Sequence, residues 1–386
     1  MGMMKKLALL RNGQRAYRKR KEEPKDNIWL FSSTDNSHFN YNSKYLFLYV
    51  KNHLPDITPY YVMNDSKKKA ELSERYGAQY FIDTSTEEGM AKALSARVWF
   101  TSAGLPLYAS GLAKDYLIIN LWHGIPLKKI ALMEQNYSKF GRMYFKRIFS
   151  RNYSAVVTSS QGLAPIMAQS FQVPEACVKV WGHPRNDVLF GEEGRKYLKE
   201  IYPDLPKYKM SVLYAPTYRD GNGGRELSLI ERQMEELQVF LQEQGILFCM
   251  RGHILADTEA VTETGYFRLL GEERLEEVTD VLPDIGVLIT DYSSVYLDYL
   301  LLDRPILFLP FDEKEYEKER GFNFEYESVT PGKKIRSVGE LKQALLEIIE
   351  TGTDGYEKER RQIREKFHEA AYPVSGAICR HVKEML

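Results

Sequence analysis

His123 lies in Trp122-His-Gly-Ile-Pro126, just past an apolar run that reads as a buried strand. An imidazole in a tight Gly/Pro turn at a strand end can project into a cleft. Histidine is also the side chain whose ordinary pKa suits a general base near neutrality. Taken singly, a His-Gly pair is more simply a histidine that bonds its own turn backbone. A second candidate is Ile285-Gly-Val-Leu-Ile-Thr-Asp-Tyr-Ser-Ser294, where a buried strand ends and Ser293 and Ser294 open a helix. Serine there can cap the helix. The same free N–H groups and positive dipole end can hold a phosphate. The motif alone leaves those two readings evenly matched.

Arg219 in Tyr214-Ala-Pro-Thr-Tyr-Arg219, and Arg251 and His253 in Arg251-Gly-His253, also follow strand-like runs. With Thr290, Asp291, Ser293 and Ser294 they would converge on one region. A diphosphate needs such charge-assisted donors around its clustered oxygens. Any one of these cations read alone is a surface residue. Gly182-His-Pro-Arg-Asn-Asp187 reads better as a domain-closing turn held by side-chain bonds.

The chain has no Asp-x-Asp, so neutralisation of a diphosphate is expected from side chains and a helix end, with no metal and no cofactor; scattered metal ligands stay open. It has no GxxxxGK[ST] and no GxGxxG after the first strand, which disfavours a P-loop ATPase and an NAD enzyme. Cys177, Cys249 and Cys379 lie far apart without zinc spacing, which fits a reducing compartment.

The elements that must position these residues are strands alternating with helices. Strands are expected at Asn27–Ser33, Ile57–Asn64, Ala78–Asp83, Arg97–Ala103, Tyr116–Trp122, Ala155–Ser159 and Val178–Trp181. Helices are expected at Tyr41–Asn52, Ser66–Tyr76 and Thr86–Ala96. Several strands are unbroken apolar runs, as suits a parallel sheet buried on both faces. The second half repeats the theme. Its strands are Ser211–Ala215, Ile246–Met250, Ile285–Thr290 and Pro305–Leu309; its helices are Glu226–Gln244, Glu273–Leu282, Ser293–Leu302 and Val338–Ile349. Residues 355–386 read as helix broken near Tyr372-Pro373. The α/β pattern implies βαβ units in two doubly wound domains, with ligands beyond the carboxyl ends of the strands. Gly191–Lys209 reads as the connection, giving an N-terminal domain over 1–190, a C-terminal domain over 207–365, and a helix over 366–386 able to return to the first.

The chain is electrically neutral, with 53 basic and 53 acidic residues, so a uniformly basic nucleic-acid coat is ruled out and no nucleic-acid partner is expected. Residues 1–190 nonetheless hold 27 Lys+Arg against 15 Asp+Glu, and the remainder is acidic by the same margin. The basic half should face something anionic. Residues 1–21 carry eight Lys/Arg and no acid. In residues 128–151, Lys128, Lys129, Lys139, Arg142, Lys146, Arg147 and Arg151 interleave with aromatics. Such a basic, aromatic-rich helix suits an anionic membrane surface; a solvated face over core aromatics explains the pattern as well. No apolar run is long enough to span a bilayer, and the N-terminal apolar stretch is too short for a signal peptide. An intracellular or membrane-surface location is expected.

Taken together, Trp122-His-Gly-Ile-Pro-Leu-Lys128, Thr158-Ser-Ser160, Gly182-His-Pro-Arg-Asn-Asp187, Tyr214-Ala-Pro-Thr-Tyr-Arg219, Arg251-Gly-His253, Thr290-Asp-Tyr-Ser-Ser294 and Arg304-Pro305 resemble, in order, the CDP-glycerol glycerophosphotransferase family. The resemblance implies a GT-B-like fold, two Rossmann-like domains facing each other across a cleft. It implies a CDP-glycerol or CDP-alditol donor, a polyprenyl-diphosphate-linked saccharide or growing teichoic acid as acceptor, and a peripheral position on the cytoplasmic face of the membrane. By position it makes His123 the base and His253 a second histidine near the donor phosphates. Arg219, Arg251, Thr290, Asp291, Ser293 and Ser294 become donor-binding, and Lys128, Lys129, Arg142, Lys146 and Arg147 acceptor- or membrane-facing. Two departures stand out: Ile254 follows the second histidine where the family commonly has Pro, and Pro373-Val-Ser-Gly376 replaces an Asp-Gly. A GT-B glycosyltransferase using a nucleotide sugar and a non-catalytic membrane-surface module are the competing readings.

Overall fold

The computed structural model describes residues 3–134, 137–217, 230, 233–251 and 263–386. They form two compact units, Met1–Gly194 with His368–Leu386, and Arg195–Phe367.

The first unit is built on seven strands: β1 Lys25–Ser32, β2 Thr58–Val62, β3 Phe81–Ile82, β4 Ala96–Thr101, β5 Leu117–Asn120, β6 Ala155–Thr158 and β7 Val178–Val180. Their order is β3-β2-β1-β4-β5-β6-β7, every pair parallel. Successive strand residues point to opposite faces, and both faces are covered. Leu30, Trp99, Ile118 and Val156 pack in one core; Trp29, Phe31, Phe100, Ile119 and Val157 pack in the other. This double burial is why the strands read as unbroken apolar runs. The helices Tyr41–His53, Ser66–Tyr76 and Glu87–Ser95 fall where expected. Thr86 starts the last of these, its side chain accepting the Gly89 N–H.

The last described helix, Ser375–Glu384, belongs to the first unit, with Ile378 and Val382 buried in the core that also holds Trp29 and Phe31. Asp187 holds its entry: its two carboxylate oxygens accept the N–H groups of Val374 and Ser375 at 2.7 and 2.9 Å. Gly182 lets this segment approach. Its φ is +78°, and a Cβ there would sit 2.9 Å from Ala370 Cβ and Val374 Cγ1.

The second unit has β8 Met210–Ala215, β9 Ile246–Met250, β10 Phe267–Leu269, β11 Val287–Thr290, β12 Ile306–Phe308 and β13 Lys333–Lys334, in the order β10-β9-β8-β11-β12-β13. Both sheets share one plan: the first strand is central and the order reverses beside it, the Rossmann arrangement. The helix Val338–Thr351 covers one face, capped by Ser337 at its start and by Gly352, φ +75°, at its end.

The structure departs from the sequence expectations at several places. Strands β10 and β13 are three and two residues long, too short to show a period. A helix over Glu273–Leu282 does not form; a 3-10 turn runs over Val278–Asp284 instead. The Arg251 guanidinium takes the carbonyls of Leu270, Gly271, Leu275 and Glu276, and the last two lie where the expected helix would use them for its own N–H groups. The basic segment 128–151 is also not one helix: an α-helix covers Lys139–Phe145 and a π-turn continues it over Lys146–Ser150. Of the helix expected over Glu226–Gln244, Met234–Gln244 is helix, and residues 226–229 and 231–232 lie outside the described residues.

Candidate active site

In the first sheet the strand order reverses between β1 and β4, and the carboxyl ends of strands at such a point are where open α/β sheets bind ligands. His123 comes to this place from the end of β5. The turn that carries it is held at three consecutive carbonyls. The buried Asn42 side chain donates to the carbonyls of Leu121 and Trp122 at 3.0 and 2.9 Å, and the Arg185 guanidinium donates to that of His123. Asn42 in turn accepts the Arg185 N–H at 3.1 Å. The Trp122 N–H donates to the Asn120 side chain at 2.9 Å. These bonds support Trp122 at φ +54°, a left-handed backbone that bulky residues rarely adopt.

The His123 Nδ1 lies 2.9 Å from the Ser102 carbonyl oxygen, just past β4. A carbonyl can only accept, so Nδ1 carries the proton and Nε2 presents its lone pair. The ring is sandwiched between Tyr41, stacked at 4.8 Å, and Trp122, at 3.8 Å. Burial pulls its pKa down to about 4; the Arg185 charge adds to this and the bond to Ser102 opposes it. The imidazole is therefore neutral at pH 7 and ready to accept a proton.

Other polar groups gather at the same carboxyl edge. His183, only 1% exposed, follows β7, and neither of its ring nitrogens has a hydrogen-bond partner among the described residues. Burial holds its pKa well below the ordinary histidine value, with Arg185, His368 and His123 adding repulsion. The hydroxyls of Ser159 and Ser160, past β6, are likewise buried and unpartnered among the described residues.

In the second unit the order reverses between β8 and β11. Asp291 spans that gap: its Oδ1 accepts from the Thr217 N–H at 2.7 Å, the Thr217 hydroxyl at 2.6 Å and the Tyr292 N–H at 2.6 Å. The Tyr326 hydroxyl donates to the Asp291 carbonyl at 2.7 Å. The Thr290 hydroxyl donates to the Ala215 carbonyl at 2.7 Å. Through these bonds Thr290 and Asp291 brace the loops on either side of the reversal. Arg251 holds the 270–276 loop through the carbonyls named above. Ser293 and Ser294 are partly exposed, and the Ser294 side chain makes no cap to the short helix Val295–Tyr299. Arg219 and His253 lie outside the described residues. Among the described residues no three His, Cys, Asp or Glu side chains group as metal ligands.

The cationic segment divides by role. Arg142 donates to the carbonyls of Leu132 and Glu134 at 2.7 and 3.4 Å and so is a loop brace. Lys128 and Lys129 are partly buried, whereas Lys146 and Arg147 are exposed. Tyr144, Phe145 and Phe149 pack on the core, while Phe140 and Met143 face outward. No described helix is long and apolar enough to cross a membrane.

Residues 15–372 match the family described as CDP-Glycerol:Poly(glycerophosphate) glycerophosphotransferase. The chain belongs to this family. The teichoic acid glycerol-phosphate transferase of Staphylococcus aureus (strain NCTC 8325 / PS 47) is 28% identical over 359 residues, covering 89% of each chain. The teichoic acid poly(glycerol phosphate) polymerase of Bacillus subtilis (strain 168) is 26% identical over 334 residues, 83% of this chain and 43% of its own length. The chain spans less than half the length of that relative. The wall teichoic acid polymerase TagF shares the fold, with a TM-score of 0.76 at 23% identity over 99% of this chain and 97% of TagF.

Within this glycerophosphotransferase family member, the supports of His123 are what sequence reasoning missed. Tyr41, Asn42 and Ser102 carry no motif, and only the sheet order brings them to the turn. Arg185 stood in a motif already singled out, but its hold on the His123 carbonyl had no local signal.

Proposed function

We propose that this chain transfers glycerol phosphate, or a related alditol phosphate, from CDP-glycerol or a CDP-alditol to a hydroxyl of a lipid-linked saccharide or growing teichoic acid or capsule polymer, releasing CMP. The single observation that carries this, beside family membership, is the fixed tautomer of His123. Its Nε2 lone pair is oriented by the bond from Nδ1 to Ser102.

In this reading Nε2 takes the proton of the acceptor hydroxyl. That oxygen attacks the alditol-bearing phosphorus, and the bond from this phosphorus to the CMP oxygen breaks with its electron pair leaving on CMP. Ser293 and Ser294 donate hydrogen bonds to the diphosphate. Arg219 and His253 are assigned there on the resemblance. Asp291 acts at one remove, by fixing the two loops on either side of the reversal in the second sheet. Positioning and electrostatics then supply most of the rate, as in other phosphoryl transfers. The exposed Lys146 and Arg147 meet an anionic membrane, on its cytoplasmic face, where the lipid-linked acceptor resides.

The test is incubation of the chain with CDP-glycerol, CDP-ribitol and UDP-sugars against a short synthetic lipid-linked acceptor, read by mass. CMP release with an alditol phosphate added to the acceptor is expected. UDP release with a sugar added would replace this reading with a glycosyltransferase. No product from any donor would leave a binding module.

A further inference from the structure

The helix Met3–Lys19 docks on the first unit by one face and leaves the other beside a groove. The docked face is tightly specified. A Cβ on Gly13 would sit 2.2 Å from the Tyr108 carbonyl oxygen, so only glycine allows this approach. Gln14 Oε1 accepts the Ser110 N–H at 3.0 Å, the Tyr17 hydroxyl donates to the Gly111 carbonyl at 3.1 Å, and Arg20 pairs with Asp115 at 3.0 Å. Positions 13, 14, 17 and 20 lie on one side of a helix. Leu7, Arg11, Arg15 and Arg18, at the complementary spacing, line the groove.

The opposite wall comes from the segment Lys139–Ser150. The groove measures about 790 Å³, within the usual range for a small-molecule site. Its floor is apolar, with Tyr144 and Ile148 buried and Leu10 partly so, and the exposed Leu7, Phe140 and Met143 continue the apolar lining beside them. Phe140 is 41% and Met143 60% exposed, unusual for two large apolar side chains side by side. Its rim is cationic. Arg11, Arg15, Arg18, Lys19 and Arg147 line it, no acidic residue does, and none of the five has an ion-pair partner among the described residues.

Cations without counter-charges around an apolar floor match a ligand that is anionic at one end and hydrocarbon along the rest. A flat electrostatic contact with a membrane would need the rim but not the floor. A nucleic acid would need the rim but would leave the aliphatic floor uncovered. We propose that this groove binds one anionic lipid, its phosphate against the rim arginines and its chain along the floor. The proposal goes beyond the transferase reading, because binding here needs no donor. If that reading holds, the lipid end of the acceptor is the occupant that matters for turnover.

The experiment places a reporter in the floor, Phe140→Trp, and titrates three probes below any micelle concentration: dodecyl phosphate, inorganic phosphate and the neutral dodecyl maltoside. Dodecyl phosphate is expected to blue-shift the tryptophan emission and saturate at one per chain, with the other two at least tenfold weaker. In the same background, Arg11→Glu with Arg15→Glu should weaken dodecyl phosphate at least tenfold while the circular dichroism spectrum is unchanged. Should that double variant unfold, Arg18→Gln alone serves, with a smaller loss expected. Equal binding of inorganic phosphate would reduce the site to an anion patch. Equal binding of dodecyl maltoside, or undiminished dodecyl phosphate binding in the charge variants, would overturn the proposal. Because no CDP-alditol is present, a failed transferase assay leaves this result untouched, and the reverse holds too.

Discussion

Asp291 and Thr217 are joined by two hydrogen bonds, from the Thr217 N–H at 2.7 Å and its hydroxyl at 2.6 Å to one carboxylate oxygen. They connect the loops after β8 and β11, the two strands between which the second sheet reverses its order. A single buried carboxylate thereby sets the spacing of both loops that carry the proposed donor contacts. Asp291→Ala would leave three donors without their acceptor, at about 1–3 kcal/mol each for groups left unsatisfied. The expected result is a lower urea midpoint and a raised KM for CDP-glycerol. Asp291→Asn, which keeps an acceptor, should recover part of both. An unchanged KM in a folded Asp291→Ala would detach this pair from donor binding.

His123→Ala is expected to lower kcat by about 10²- to 10⁴-fold, the usual contribution of a general base. Donor affinity, measured by calorimetry, should stay within about threefold. Turnover near that of the parent chain would remove His123 from the chemistry.

The acid limb of kcat/KM should follow the depressed His123 pKa of about 4 and not the ordinary value of 6.5. Activity should stay level as the pH falls from 8 toward 5, in assays short enough to precede unfolding. A limb centred near 6.5 would assign the essential base to another group.

Asn42→Ala would free the carbonyls of Leu121 and Trp122 and leave the left-handed Trp122 without its main support. A loss of kcat with little change in KM is expected, and Asn42→Asp should not rescue it, because a carboxylate cannot donate. Full activity in Asn42→Ala would show that the turn holds its shape without the amide.

Stability should fall with acid through His183 as well as His123. Both have folded-state pKa values below the unfolded value of 6.5, so the unfolded chain binds more protons between the two. The contribution is complete above about pH 6.5 and is lost as the pH falls below it. His183→Leu should flatten the decline in melting temperature between pH 7 and 5. An unaltered slope would mean that the buried imidazole is not what acid titrates.

The sheet of the first unit was legible because its strands are buried on both faces. Leu117–Asn120 and Ala155–Thr158 are apolar runs bounded by polar turns, and no other element type suits runs so short. The second sheet was legible only in its middle, since its edge strands are too short to carry a pattern. The misread helix after Gly271 shows the limit of propensity: the segment is a fair helix former, but a long-range arginine claims its carbonyls. In the candidate site, His123 could be singled out from its place at a strand end. Its orientation could not, because Ser102, Asn42 and Arg185 reach it from three other parts of the chain. Equally, Thr290 and Asp291 stand in a motif whose residue types suit a phosphate, but their bracing of the loops on either side of the reversal does not show in it.

The return of Ser375–Glu384 to the first unit has a bearing on synthesis. This helix, which shares an apolar core with Trp29 and Phe31, is translated only after all of the second unit. The nascent amino-terminal lobe must wait on the ribosome with that core incomplete, while the lobe encoded after it can already collapse. Pulsed proteolysis of stalled nascent chains should find the later lobe protected first, an inversion of the usual vectorial order.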